Sequence, residues 1–220
     1  MSTPSGTPDP AANTNATPGT PDTAADASAT PGAPDAAANA GATPPEAADI
    51  VDFWRRGRHY WFRKDADFDR RFHDRYIALH LAAARRELDD WNRTPAGALA
   101  LLVLLDQFPR NAFRGTAHMY ATDPLARHYA RAALAQGHPE RVDPRLRMFF
   151  YLPFEHSEDP ADQDLSVALH AGLPAEDRVY ADRHRDIIRR FGRFPHRNPI
   201  LMRETTAEEQ AFLDAGGFAG

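Results

Sequence analysis

Apolar and polar residues recur along most of the chain with the spacing of amphipathic helices. After Asp67, aromatic and aliphatic residues return at Phe68, Phe72, Tyr76 and Leu79, a spacing that places them on one face of a helix. No stretch shows the sustained alternation of a half-buried strand, and no run is flanked by hairpin turns. The pattern therefore predicts an all-α domain of about eight short helices.

One segment has no polar face at all. Residues 101–105 read Leu-Leu-Val-Leu-Leu, and a helix that is apolar on every side is expected at the centre of a core. Thr94 and Pro95 precede it as an N-cap and a proline at the first helical position. The polar residues 106–111 follow directly, and the Phe-Pro pair that ends at Pro109 predicts a break in the helix. A carboxylate, an amide and a guanidinium at the end of a buried helix all require partners.

Proline and glycine mark most of the other helix boundaries. Asp-Pro pairs at positions 123, 143 and 159 combine a capping residue with a proline suited to the first turn. Gly192 predicts the end of a helix that starts after Pro174. The segment 155–158, Glu-His-Ser-Glu, stands between Pro153 and Pro160, and we expect it to be a polar loop.

Composition divides the chain near residue 45. After Met1, residues 1–45 are almost entirely Ala, Pro, Thr, Gly, Ser, Asp and Asn, and no residue among them is aromatic. Such a segment buries too little apolar surface to offset the entropy lost on ordering. We therefore expect a disordered tail over residues 1–45 and one helical domain over residues 46–220.

Charge and cysteine content exclude several classes of function. The chain has 26 Lys and Arg against 31 Asp and Glu, and six of the acids lie in residues 1–50, which hold no base. The remainder has 26 bases against 31 − 6 = 25 acids, which argues against a nucleic-acid partner. Cysteine is absent, which excludes disulfides and thiolate chemistry, and no apolar run approaches the roughly 18 residues that cross a membrane. We expect a soluble cytoplasmic protein without a membrane partner, a cofactor or a metal; the sequence names no protein partner.

Three polar segments carry the candidate chemistry. Phe-Pro-Arg-Asn at 108–111 is echoed by Phe-Pro-His-Arg-Asn at 194–198, and residues 155–158 add acids and a histidine. Guanidinium and amide groups together can grip a carboxylate or a phosphate. If the segments converge, they form one site for a small anionic ligand. The predicted ligand-binding residues are Asp106, Gln107, Arg110, Asn111, Arg193, His196, Arg197 and Asn198. His156 and Glu158 are the predicted acid–base pair if the site is catalytic.

The same residues have a second interpretation. Arginines after helix ends commonly bind unpaired carbonyls, and acid–arginine pairs commonly fix helix termini. The three segments would then be an ionic lock in a helical scaffold. The sequence leaves both interpretations open.

The three segments also resemble the signature of a known family. Asp-Gln-Phe-Pro-Arg-Asn (106–111), Pro-Phe-Glu-His-Ser-Glu (153–158) and Phe-Gly-Arg-Phe-Pro-His-Arg-Asn (191–198) are similar to motifs of the DUF924 family of bacterial proteins. The resemblance covers about residues 48–214; the long tail departs from it. It implies an all-helical domain similar to tetratricopeptide-like stacks of helical hairpins, and it implies no activity, because the function of that family is unknown. By analogy with such stacks, the alternative function is a tetratricopeptide-like protein-interaction module in which the polar motifs are the ionic lock.

Overall fold

The structure of the protein is a computed structural model, and it describes residues 41–218. The tail predicted for residues 1–45 lies outside the described residues except for its last five positions. The division into a tail and one domain therefore stays a prediction.

Every regular element in residues 41–218 is helical, which confirms the predicted all-α fold. The α-helices are α1 (Pro45–Arg56), α2 (Ala66–Ala84), α3 (Pro95–Leu102), α4 (Phe108–Ala112), α5 (Asp123–Ala135), α6 (Leu152–Glu155), α7 (Pro160–His170), α8 (Ala175–Phe191) and α9 (Ala207–Asp214). Short 3₁₀ helices lie between them at Arg58–Tyr60, Asp89–Arg93, Ala117–Tyr120, Pro139–Arg141, Pro144–Phe150 and Pro195–Arg197. None of the helices in this range is long and apolar enough to cross a membrane.

Helix ends follow the capping signals in the sequence. The Thr94 hydroxyl accepts a hydrogen bond from the Gly97 N–H at the start of α3, at 3.1 Å. Thr206 and Glu209 form a reciprocal capping box at the start of α9. Gly192 ends α8 with φ +69°, in the left-handed region that glycine adopts without strain. Local residue chemistry thus decides where these helices start and stop.

The core is built around α3. All residues from 98 to 105 are fully buried, as the apolar run predicts. α1 and α5 pack against α3, and α2 packs against the segment that follows it. Each fully buried leucine contributes about 1.5–3 kcal/mol of transfer free energy, so this segment anchors the fold and holds its polar end in place.

The predicted helix break at Pro109 is wrong, because the helix continues through it. Val103–Gln107 forms a π-helical turn, in which the Phe108 N–H donates to the carbonyl of Val103, five residues back. Gln107 keeps helical angles, φ −84° and ψ −45°, and α4 follows without interruption. The wider π turn makes room for the proline ring, which would clash with a carbonyl in a regular α-helix. The polar residues 106–111 therefore lie on one continuous helix.

The second half of the chain adds α6 to α9. α7 and α8 pack on each other as a helical hairpin, and α9 packs on the 3₁₀ helix Pro195–Arg197. Ile187, Ile188 and Phe194 form a small second core there. We expected the segment 155–158 to be a loop, but Glu155 is the last residue of α6. The proline of α6 does not prevent this helix, because a proline in the first helical turn loses no hydrogen bond.

Candidate functional site

A cavity of about 400 Å³ lies where the three polar segments meet. Six of the predicted site residues line it: Gln107, Arg110, Asn111, His156, His196 and Arg197. The other lining residues are Phe62, Arg63, Lys64, Arg114, Met119, Tyr120, Met148, Leu152, Glu155, His170, Asp177, Tyr180, His184 and Phe218. Most of the predicted residues therefore converge, although they are up to 90 positions apart in sequence.

Behind this cavity, Asp106 orients His156. The Nδ1 of His156 lies 2.8 Å from Oδ1 of Asp106, and Gln107 donates its Nε2 to the other carboxylate oxygen at 2.6 Å. Burial by itself would raise the pKa of Asp106. The charge of Arg110 and the contact with His156 outweigh burial and lower this pKa, so Asp106 is a carboxylate. A carboxylate partner requires a proton on Nδ1, which leaves Nε2 of the neutral imidazole as an acceptor. Burial, then Arg110, lowers the pKa of His156; the imidazole is therefore neutral at physiological pH.

Arg110 is fully paired with carboxylates. Its Nη1 and Nη2 donate to the two oxygens of Asp123 at 2.8 and 3.0 Å, and Nη1 also donates to the Asp106 carbonyl at 2.7 Å. Burial lowers the pKa of Arg110, but Asp106 and Asp123 together outweigh burial and raise it. Arg110 therefore contributes a fixed cation to the cavity wall.

Arg197 is buried without such pairing. Its side chain forms one hydrogen bond within residues 41–218, from Nη2 to the His156 carbonyl at 3.0 Å. Nε is buried without an acceptor, and Nη1 is 3.9 Å from the Asp123 carboxylate that Arg110 already occupies. The guanidinium lies over the rings of Tyr120 and Phe194, at 4.6 and 4.4 Å. Burial, then the charge of Arg110, lowers its pKa to about 10, as expected for a cation that lacks full compensation.

The mouth of the cavity is positively charged. Arg63 and Lys64 are exposed there, and Arg114 donates to Asp69 at 2.6 Å. Asn111 donates to the same carboxylate at 2.7 Å. Five Lys and Arg side chains line the cavity against two carboxylic acids, so the lining attracts anions.

A strained aromatic residue also borders this mouth. Phe62 has φ +60° and is 68% exposed. The preceding residue, Trp61, packs on the core and donates Nε1 to the Trp54 carbonyl at 3.0 Å. A bulky residue in the left-handed region is an uncommon arrangement that often marks a functional site.

Four predicted site residues lie outside the cavity lining: Glu158, Arg193, Asn198 and Asp106. Glu158 accepts both terminal nitrogens of Arg203, at 2.7 and 3.0 Å, and the Phe194 N–H at 2.9 Å. Arg193 donates to both oxygens of Glu209, at 2.5 and 2.8 Å. The pair of Arg193 with Glu209 holds the chain just before Phe194, and Glu158, which pairs with Arg203, binds the Phe194 N–H itself.

The third of these residues joins the same arrangement. Asn198 donates to Glu209 at 3.2 Å, so one buried carboxylate holds both ends of the 193–198 segment. Asp106, likewise, is not among the lining residues and acts on the cavity through His156 and Arg110.

Sequence reasoning missed a buried acid and two histidines in the cavity. Glu155 is 4% exposed, and its carboxylate oxygens lie 3.5 Å from Nε2 of His170 and 3.4 Å from Nδ1 of His184. Burial, then the charge of Asp106, raises the pKa of Glu155 to about 8. The histidines lie alone on α7 and α8, and no local spacing in the sequence signals their proximity. In residues 41–218, no three His, Cys, Asp or Glu side chains form a cluster that could hold a metal ion.

A family model and a solved structure each match most of this chain. The model of the family described as "Bacterial protein of unknown function (DUF924)" matches residues 50–217. A solved structure described as a protein of unknown function, ATU0120 from Agrobacterium tumefaciens, is 57% identical to this chain, with a TM-score of 0.78. The match covers 80% of this chain and 100% of that one. No curated protein matches.

Proposed function

Since this chain belongs to the DUF924 family, whose function is unknown, only the chemistry of the cavity indicates a function, and we propose that the cavity binds a small organic anion. The observation that carries the proposal is the buried guanidinium of Arg197, which has unpaired donors. A charged group removed from water requires a counter-charge and hydrogen-bond acceptors. A carboxylate or a phosphoryl group in the cavity supplies both.

Charge around Arg197 supports the proposal. Asp123 is the nearest acid, and its oxygens already accept from Arg110, so two buried cations share one carboxylate at this point. A planar guanidinium with free N–H groups recognises oxyanions bidentately. Arg63 and Lys64 at the mouth add a long-range attraction for the same class of ligand.

His156 gives the same cavity a proton acceptor. Asp106 holds the Nδ1 proton, so the free lone pair of the neutral ring is on Nε2. A buried carboxylate behind an imidazole is an arrangement that fixes a general base. If the bound anion is a substrate, His156 is the group that takes its proton.

The alternative function, a protein-interaction module with the motifs as an ionic lock, accounts for only part of the site. It explains Arg193 and Glu158, whose charges are paired with those of Glu209 and Arg203. It does not explain Arg197, because an ionic lock would pair this buried charge rather than leave its donors without acceptors. Ligand binding accounts for Arg197, while the two ion pairs hold the chain on either side of Phe194 in place.

Sulfate binding by two arginine variants tests the proposal. Isothermal titration at constant ionic strength would compare the full chain with Arg197→Met and Arg193→Met. We expect the parent to bind sulfate and Arg197→Met to lose about tenfold or more in affinity, with its free energy of unfolding within about 1 kcal/mol of the parent. Arg193→Met is the matched control: it keeps binding and loses stability. Failure of the parent to bind sulfate, or normal binding by Arg197→Met, would contradict the proposal.

A further inference from the structure

Glu155 is a buried acid without a hydrogen-bonding partner for its carboxyl group. It lines the cavity, and none of the causes that shift its pKa is a hydrogen bond. The nearest groups that could carry a positive charge are His184, with Nδ1 at 3.4 Å, and His170, with Nε2 at 3.5 Å. An ionised carboxylate in this position would be buried without compensation.

Neither histidine supplies that compensation. Nδ1 of His170 donates to the Ser166 carbonyl, and Nδ1 of His184 donates to the Tyr180 carbonyl, both at 2.8 Å. These bonds fix the tautomers, so Nε2 of His170 is a lone-pair acceptor, buried and without a partner. Burial lowers the pKa of both rings, that of His184 to about 3. Both imidazoles are therefore neutral at physiological pH.

Charges on the other elements around Glu155 also disfavour its ionised form. Asp106, on the π-helical turn, and Asp177, on α8, both disfavour a second negative charge there. The cations Arg110 and Arg197 face Asp106 and Asp123 instead. His170 comes from α7 and His184 from α8, and both are neutral. Position and surroundings together keep Glu155 protonated at neutral pH, with burial as the largest cause.

We propose that Glu155 is a further ligand-binding residue, a neutral carboxylic acid that donates its O–H to an oxygen of the anion held by Arg197. The inference rests on the proposed function and names a specificity-determining group within it. A protonated carboxyl group is a hydrogen-bond donor, whereas a carboxylate would repel the same anion. The cavity then selects oxyanions that accept a hydrogen bond from this carboxyl group as well as from the guanidinium.

One consequence is that anion binding depends on the proton of Glu155. The folded protein without ligand loses this proton as pH rises through about 8. Above that pH, a bound anion must restore the proton, so binding takes up one proton and affinity falls by about tenfold per pH unit. The charge of sulfate is constant over this range, so the ligand itself contributes no pH dependence.

The test is sulfate binding by the full chain from about pH 6 to pH 9.5, with Glu155→Gln and Glu158→Gln beside the parent. The amide of Glu155→Gln keeps a donor and has no titrating proton, so we expect binding that does not change around pH 8. Glu158→Gln, which alters an acid outside the cavity, is expected to keep the pH dependence of the parent. Titrations in two buffers of unequal ionisation enthalpy should show proton uptake by the parent above about pH 8 and none by Glu155→Gln.

The possible results separate the two proposals. Sulfate binding by the parent with no pH dependence and no proton uptake would overturn the role of Glu155 and leave the anion site standing. The same holds if Glu155→Gln shows the pH dependence of the parent. If Glu155→Gln does not fold, the presence or absence of proton uptake by the parent above about pH 8 decides whether Glu155 has the proposed role. Absence of sulfate binding by the parent at every pH would overturn both proposals.

Discussion

Thr122 donates its hydroxyl to the main-chain carbonyl of Leu105 at 2.6 Å. In a regular α-helix this carbonyl would accept from residue 109, but Pro109 has no N–H. His80 lies 2.9 Å from the carbonyl of Leu104 in the same π-helical turn, through its Nδ1. Side chains from two other elements therefore satisfy the carbonyls that the π turn and the proline leave open. The π turn therefore carries the polar end of a buried helix to the cavity without leaving these two carbonyls unpaired.

Replacement of Thr122 by valine tests this relationship. Valine has nearly the same shape but no hydroxyl, so the buried Leu105 carbonyl would lose its partner. We expect Thr122→Val to lower the free energy of unfolding by about 1–3 kcal/mol, measured by urea denaturation. Thr122→Ser keeps the hydroxyl and should retain most of that stability. Equal stability of the serine and valine variants would show that the hydrogen bond contributes nothing.

A second prediction concerns the tautomer of His156. The Asp106 carboxylate accepts only from a protonated Nδ1, so the neutral ring of the parent should carry its proton there. In Asp106→Asn the new amide can donate, and the ring is expected to shift toward the Nε2–H tautomer. Nitrogen-15 NMR of the imidazole rings measures the change, with His156→Gln to assign the signals. An Nε2–H tautomer in the parent would contradict the role of Asp106.

A third prediction follows from the buried acid that holds α9. Hydrogen bonds from Arg193, partly opposed by burial, lower the pKa of Glu209 from 4.5 to about 2. A carboxyl group whose pKa is lower in the folded state stabilises the fold above its unfolded pKa, and this stabilisation is lost as pH falls from about 4.5 toward 2. We expect Glu209→Gln to lower the free energy of unfolding by about 1 kcal/mol at neutral pH and by little near pH 2.

Urea denaturation over a series of pH values measures this difference. Glu208→Gln is the control. Glu208 is also on α9, but it forms an exposed ion pair with Arg190 of α8, and surface pairs of this kind contribute little. A constant difference between the parent and Glu209→Gln at every pH would contradict the prediction.

Much of the fold follows from the sequence because its determinants are local. The buried segment 98–105 is recognisable as an uninterrupted apolar run, and Thr94, Gly192 and Thr206 act as caps through bonds to residues a few positions away. Pro109 is the exception. Its local preference for breaking a helix is overridden by packing on every side and by carbonyl acceptors reached from distant elements.

The candidate site was predictable only as a set of segments. The repeated Phe-Pro motif indicates that residues 107–111 and 196–197 belong together, and they do line one cavity. The motif does not distinguish Arg193 from Arg197, because both follow α8 within a few residues. Glu209 reaches one of them and leaves the other buried without a full counter-charge.

The sequence likewise does not distinguish the roles of Glu155 and Glu158. The two acids are three positions apart, yet one ends a buried helix beside two neutral histidines and the other pairs with Arg203, 45 residues away. The sequence by itself determined where the helices lie, which of them is central and which segments carry the polar groups, since hydrophobic periodicity and capping act over a few residues. The tertiary structure alone decided which charges are paired, which are buried without partners and which acid has a raised pKa, because pairing and desolvation depend on groups that only folding brings together.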